Sequence, residues 1–318
     1  MLVSIIFLVF GLFLLVKGAD ILVASSISIG KRIKISEFFI GLIIIGFGTS
    51  ISELLVSIDA VLKNHPDLSV GNIIGSNIAN LLLVSFVAGL SSELKISKTS
   101  YFDIIFHLGC HLLFLFVFFF YIFDRNFGLI FLTLFIFYLF KSFKKAKSED
   151  TSKIEIENDF FSQITFQNPL KYGTPILIFS ILITLIGADL TVNSAIEISD
   201  ILQIADSFVG LTIIALGTSL PEIATSITAA RKGKGNIIIG NIIGSNIYNL
   251  LLILGLASLF QSFSYNQQIL SSDVIFLIIS VCFFSFLIFK KITIGKKVSY
   301  ICLLAYILYL INLYLNNF

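Results

Sequence analysis

The chain has 318 residues, of which 57% are hydrophobic, 13% are charged and 34 are phenylalanine, with a formal net charge of +2. A water-soluble domain carries roughly a quarter charged residues, so this composition, at a mean hydropathy of +1.02, excludes a soluble globular protein and defines a polytopic membrane protein. Cys110, Cys282 and Cys302 lie in apolar stretches with no CxxC or Cys/His cluster, which argues against a disulfide framework, a zinc site and redox chemistry.

A membrane span needs about 20 apolar residues. That ruler gives ten, at 1–25, 36–62, 71–90, 103–123, 127–143, 173–198, 206–230, 238–260, 270–289 and 296–316. All are read as helices, because an open sheet would leave backbone groups unpaired in lipid. Met1 to Val16 has no basic n-region and no small-residue cleavage site after it, so it reads as part of the first span rather than a removed signal peptide. The polar stretch Lys144 to Asn168, with KKAKSEDTSKIEIEND, reads as a linker between two sets of five. The expected organisation is a five-helix unit at 1–143, a cytoplasmic linker at 144–172 and a second five-helix unit at 173–318.

Basic residues fall in alternate connections: Lys31, Arg32 and Lys34; Lys95 and Lys98; the cluster from Lys141 to Lys171; Arg231, Lys232 and Lys234; and Lys290, Lys291, Lys296 and Lys297. These are 18 of the 21, leaving Lys63 and Arg125 in the other loops and Lys17 within a span. The positive-inside rule then puts these loops in the cytoplasm and both termini outside, in the cell (inner) membrane. Because five is odd, the second unit is expected upside down relative to the first.

The two units repeat at a constant offset of 169 residues without a gap. GAD at Gly18 to Asp20 recurs at Gly187 to Asp189, and GTS at Gly48 to Ser50 recurs at Gly217 to Ser219. GNIIGSNIANLLL at 71–83 recurs at 240–252 with one difference, Ala79 against Tyr248. Inverted repeats of this kind build secondary transporters, with the substrate near the midplane where helices are broken. The pairs Gly71/Gly75 and Gly240/Gly244 alone suit close helix packing. Packing gives no reason for Asn77, Asn80, Asn246 and Asn249 in mid-membrane, nor for a glutamate in each neighbouring helix.

Those glutamates, Glu53 in GFGTSISELLVS and Glu222 in ALGTSLPEIATS, are the most informative residues in the chain. A charge at mid-bilayer costs about 3 kcal/mol on insertion scales, so one kept there is a functional group by default. In GTSxxE, Gly and two hydroxyl residues mark an interruption of the helix, which Pro221 enforces in the second copy. Freed carbonyls, hydroxyls, amide oxygens and a carboxylate make an all-oxygen shell, the set that hard cations prefer. Ser76 and Asn80 lie four apart, as do Ser245 and Asn249, so each pair shares a helix face. Two carboxylates without a cation repel each other, whereas one divalent ion or two monovalent ions cancel both charges. Competition between the two kinds of ion follows.

At these motifs the chain resembles the sodium/calcium exchanger superfamily, the calcium/cation antiporters, whose two repeats carry GTSxPE and GNxxGSNxxN. The resemblance implies an all-α polytopic membrane protein of ten transmembrane helices in two inverted five-helix repeats, exchanging sodium for calcium by alternating access. It implies that Glu53 and Glu222 bridge calcium. It further implies that Thr49, Ser50, Thr218 and Ser219, the carbonyls of Gly46 and Ala215, and Ser76, Asn80, Ser245 and Asn249 ligate sodium and calcium. Calcium and sodium are substrates here rather than cofactors. Beyond these ions and the lipid bilayer, no nucleic acid and no obligatory protein partner is expected, and no catalytic residue is identified.

Two departures matter. Ser52 stands where the family usually has proline, so the first break is expected to bend rather than unwind. Some members have an acid at the position of Asn249, so a site charge of −2 rather than −3 is expected to alter the sodium coupling. Proton/calcium and potassium-dependent antiport are the alternatives within the class. A passive channel would draw its pore from several subunits or rings of charge, and an enzyme would need a nucleophile with its base or a metal centre, neither of which the sequence offers.

Among weaker signals, His107 and His111 have the i, i+4 spacing of a metal pair but no third ligand, and read as packed histidines. Asp20 and Asp189 suit either a guard over ion access or helix packing. Asp59 faces Thr228 in the repeat and reads as a non-ligand. The lysine-rich linker reads as solvated.

Overall fold

A computed structural model describes residues 1–94, 101–119, 122–147, 154–156, 159–202, 215–265 and 267–317. Nearly all of them are helical. In chain order the elements are α1 (Leu2–Arg32), α2 (Glu37–Thr49), α3 (Ile51–Leu62), α4 (Pro66–Ser91), α5 (Tyr101–Phe118), α6 (Arg125–Ala146), α7 (Phe160–Gln167), α8 (Thr174–Ile201), α9 (Ala215–Gly217), α10 (Leu220–Arg231), α11 (Gly235–Phe260), α12 (Gln267–Phe289) and α13 (Lys296–Asn317). Among the described residues eight helices are long and apolar enough to cross a membrane, or nine when α2 and α3, bent by 45°, count as one. The seventh expected span, 206–230, is described only from Ala215 onward, because 203–214 lie outside the described residues.

Local chemistry sets the helix ends. Asp124 caps α6 by accepting from the Phe127 N–H at 3.0 Å, and Lys144 and Lys145 close its last turn, where a cation complements the exposed carbonyls. Helix α7 was not anticipated. It lies within the stretch read as linker, starts at an Asp159 cap that accepts from the Ser162 N–H at 3.0 Å, and packs against α1.

The core is built on α4 and α11. Of the apolar window in α11, 94% is buried, and 72% in α4, against 28% in α1, α6 and α8. The outer faces of α1 (Leu2, Ile6, Phe7, Phe10, Phe13) and α8 (Ile178, Phe179, Leu182, Ile186) are exposed and apolar, as a lipid-facing surface requires.

Helices α1 and α8 pack along one another at backbone distance. A methyl group added at Gly11 would stand 2.8 Å from the Thr191 nitrogen, one at Gly18 would stand 2.7 Å from the Thr184 nitrogen, and one at Gly187 would stand 2.8 Å from the Gly11 carbonyl. Gly240 and Gly244 play the packing role expected of them, against the backbones of Phe38 and Leu42. The repeat places the partners of Gly71 and Gly75 at 207 and 211, outside the described residues.

Contacts between connections divide into two groups. On one side Lys234 pairs with Glu37 at 2.8 Å, Lys145 with Asp103 at 3.1 Å, and Leu94 bridges Ile294. On the other, the short strands Ile122–Phe123 and Phe263–Ser264 pair antiparallel, and Gln261 donates to Asn64 at 3.0 Å. None of these contacts joins a connection rich in lysine and arginine to one that is poor in them.

Candidate cation site

Both GTS motifs interrupt their helices. Ser50 has φ −77° and ψ 5°, and Ser219 has φ −89° and ψ 1°, so the two serines share one backbone conformation although only the second is followed by Pro221. The first break is a 45° bend across Ser50, whose N–H still reaches the Gly46 carbonyl, whereas the second takes in Thr218 and Ser219 and closes on Leu216, so the copy without proline bends rather than unwinds. Ser52, in its place, has its hydroxyl 3.1 Å from the Thr49 carbonyl and 3.4 Å from the Thr218 carbonyl of the other copy.

The two breaks face each other. Glu53 and Glu222 are 0% and 1% exposed and interact electrostatically, and Thr49 of the first copy interacts with Glu222 of the second. Ser76 on α4 reaches Thr218 of the opposite copy, oxygen to oxygen at 3.5 Å. The structure thus brings together elements that the sequence separates by more than 140 residues.

What surrounds the carboxylates is a set of buried oxygens without protein partners. Glu53 Oε1, both carboxylate oxygens of Glu222, the hydroxyls of Ser50, Ser219 and Ser245, and Asn249 Oδ1 are buried with no hydrogen bond, as are both polar atoms of Asn80. A buried polar group left unpaired costs about 1–3 kcal/mol, and a cation bound between the carboxylates would supply the partner that such oxygens lack. Oxygen-only donors around two carboxylates suit a hard cation such as calcium or sodium. Among the described residues no three His, Cys, Asp or Glu side chains cluster, so the donors beyond the two carboxylates are hydroxyls and amides.

Gly46 sits at the break, but its carbonyl accepts from the Ser50 N–H at 3.1 Å and from the Thr49 hydroxyl at 3.3 Å, so it is engaged rather than freed. The backbone of Ala215 opens α9 immediately before the second break.

Two features were not visible in the sequence. A π-helical turn begins at Asn80, and another runs from Tyr248 across Asn249, so both amide ligands sit on widened turns of their helices, a device that recurs at functional sites. Asn77 and Asn246, 169 residues apart, clasp one another: each side-chain nitrogen donates to the other's backbone carbonyl, at 3.4 and 3.5 Å. The repeat also duplicates a bond inside each half: Asn72 Nδ2 donates to the Ser57 hydroxyl at 3.0 Å, and Asn241 Nδ2 donates to the Ser226 hydroxyl at 3.4 Å. The identical GSN motifs were the available signal for the first pair.

The weaker candidates fall outside the site. Asp20 is half exposed and pairs with Lys232 at 3.1 Å, Asp189 is exposed, and Asp59 is exposed and bound to Lys63 at 2.7 Å. His107 and His111 are buried, with ring centroids 4.4 Å apart, and stand behind Asn77 and Asn246.

Comparison with known proteins agrees with this geometry. The sequence model of the sodium/calcium exchanger protein family matches residues 3–144 and 172–315. The sodium/calcium exchanger MaX1 of Methanosarcina acetivorans is 36% identical over 303 residues, covering 84% of this chain and 85% of MaX1. Inner membrane protein YrbG of Escherichia coli is 30% identical, across 89% of this chain and 88% of its own. The solved structure of the sodium-calcium exchanger NCX_Mj soaked with Na+ and Sr2+ superposes with a TM-score of 0.81 at 31% identity, covering 96% of this chain and 97% of that one. The chain belongs to the sodium/calcium exchanger family, a family of membrane antiporters.

Proposed function

We propose that this protein is a secondary antiporter that exchanges sodium for calcium across the cell membrane by alternating access. The observation that carries the reading is the pair Glu53 and Glu222, fully buried, contributed one by each repeat, and ringed by partnerless oxygens from Ser50, Ser219, Ser245, Asn80 and Asn249. Thr49, Ser76, Thr218 and the carbonyl of Ala215 complete the ligand set, to which the Gly46 carbonyl is added only where an ion displaces the Thr49 hydroxyl from it. The ions are cargo, and no catalytic group or cofactor takes part.

The site offers two negative charges, which one calcium ion or two sodium ions neutralise. A third sodium would leave it positive, because Asn249 is neutral. The expected ratio is therefore two sodium ions per calcium.

The ten-span reading, with five-helix units at 1–143 and 173–318 in opposite orientation and a linker at 144–172, is supported by two observations. Eighteen of 21 basic residues fall in alternate connections, and the contacts between connections keep to the two groups that this topology predicts. Both termini are then extracytoplasmic in the inner membrane.

Radioactive calcium uptake into proteoliposomes, driven in turn by sodium, potassium and proton gradients, tests the function. Sodium-driven uptake supports it. Uptake driven by protons alone, or only with potassium present, assigns the protein to the corresponding alternative. The dependence of sodium-driven uptake on membrane potential measures the ratio: exchange of two sodium ions per calcium moves no net charge and should ignore the potential, and potential-driven uptake with a reversal potential set by three sodium ions per calcium would overturn the charge argument.

A further inference from the structure

An amide side chain is a poor cation ligand unless something decides which end of it faces the ion. Its oxygen and nitrogen are nearly identical in shape, yet one attracts a cation and the other repels it. Asn249 has this problem and Asn80 has it too. The structure solves it for only one of them.

We propose that His111, acting through Asn77, is a positioning residue that turns the carboxamide oxygen of Asn249 toward the transported cation. The proposal rests on Asn249 being an ion ligand. Three hydrogen bonds connect the His107 carbonyl to Asn249. His111 Nδ1 lies 2.8 Å from the His107 backbone carbonyl, an atom that can only accept, so Nδ1 carries the proton and Nε2 of the neutral ring carries a lone pair. That lone pair faces Asn77 Nδ2 at 3.4 Å. The same nitrogen also lies 3.4 Å from the Asn246 carbonyl, a second pure acceptor, so the orientation of the Asn77 amide is determined twice.

With its nitrogen held on that side, Asn77 presents Oδ1 on the other and accepts from Asn249 Nδ2 at 2.9 Å. The nitrogen of Asn249 is thereby engaged, and its Oδ1 is left buried without a partner, as a ligand oxygen must be. Every residue in the relay is shielded from water: His111, Asn77 and Asn249 are each 0% exposed.

The other copy supplies an internal contrast. His107 Nε2 stands 3.3 Å from Asn246 Nδ2, so the contact between ring and amide is repeated. It goes no further, since Asn246 Oδ1 has no partner and neither polar atom of Asn80 is bonded. His107 is thus equally buried and similarly bonded, but it orients nothing in the site.

The test compares variants in purified, reconstituted protein by equilibrium binding of radioactive calcium and by calcium uptake. His111→Asn keeps a donor near the His107 carbonyl and loses the acceptor that reaches Asn77, so the half-saturating calcium concentration should rise about tenfold while the maximal uptake rate stays within twofold. His111→Gln, which restores an acceptor at similar reach, should return to within threefold of the parent. His107→Leu, which removes the ring packed 4.4 Å from His111 but keeps the backbone carbonyl that holds His111 Nδ1, should change calcium affinity less than twofold. In an Asn249→Asp background the distinction between oxygen and nitrogen vanishes, and His111→Asn should then alter calcium affinity less than twofold. Equal effects of the His107 and His111 substitutions, or a tenfold loss that persists in the Asn249→Asp background, would overturn the positioning role. If His111→Asn does not fold, His111→Leu carries the same expectations. A different result, calcium affinity unchanged in both Asn249→Asp and Asn249→Leu, would instead remove Asn249 from the ligands.

Discussion

The hydroxyl of Ser52 lies 2.8 Å from Oε2 of Glu53, so one oxygen of this carboxylate is held while the other, Oε1, stays free of protein partners. The equivalent residue in the second copy is Pro221, which has no hydroxyl, and Glu222 interacts instead with Thr49 of the first copy. The two acids of one site are therefore prepared differently, one held by its own neighbour in sequence and one approached from the other repeat.

Replacing Ser52 measures what the tether contributes. Ordering a flexible side chain costs about 1 kcal/mol, so Ser52→Ala should raise the half-saturating calcium concentration about fivefold. Ser52→Pro should do the same and leave the fold intact, because Ser50 already has the dihedral angles of Ser219 and proline is tolerated in the first turn of a helix. Calcium titrations of uptake together with thermal melting in detergent check both. A Ser52→Pro variant that melts much earlier would show that the first break does not accommodate proline.

The buried carboxylates should be costly when no cation is bound and essential when one is transported. Glu53→Gln and Glu222→Gln should each reduce calcium uptake at least a hundredfold. In cation-free buffer each should also melt above the parent, because one member of a like-charged buried pair is gone. Calcium should then stabilise the variants far less than it stabilises the parent, since ligand-induced stabilisation follows affinity. Melting curves with and without calcium separate these effects from misfolding.

Asn249→Asp should convert the site charge from −2 to −3. The expected result is tighter calcium binding, by about tenfold or more, and uptake that becomes dependent on membrane potential, as three sodium ions per calcium require. A ratio that stays at two would mean that site charge does not set the coupling.

Packing between α2 and α11 is tested at Gly240. A methyl group there would collide with the Phe38 backbone carbonyl, which cannot rotate out of the way as a flexible side chain can. Gly240→Ala should destabilise the protein by about 2 kcal/mol, in the range for overpacking a close-fitted interior, visible as a lower melting temperature. Gly233→Ala makes a useful contrast. Gly233 sits in open space at φ +67°, so any loss there comes from backbone strain alone.

The sequence made the spans, the repeat and the acidic pair legible for physical reasons. Apolar runs of span length, a constant offset of 169 and a charge inside lipid are strong local signals. The short helix Phe160–Gln167 was hidden because eight residues flanked by charge resemble a linker, and its docking on α1 is a tertiary effect. The widened turns at Asn80 and Tyr248 leave no mark on residue type. Reading Ser52 as a weakened proline missed its use, because the contacts with Glu53 and the Thr218 carbonyl exist only once the two halves meet. Of the four amides noticed in mid-membrane, Asn77 and Asn246 became intelligible through their mutual clasp rather than through any ion.

The glycine-lined seam between α1 and α8 has a mechanical consequence. Where two rods touch backbone to backbone, a methyl group at Gly11, Gly18 or Gly187 would act as a wedge, so the seam stays closed only while these positions remain bare.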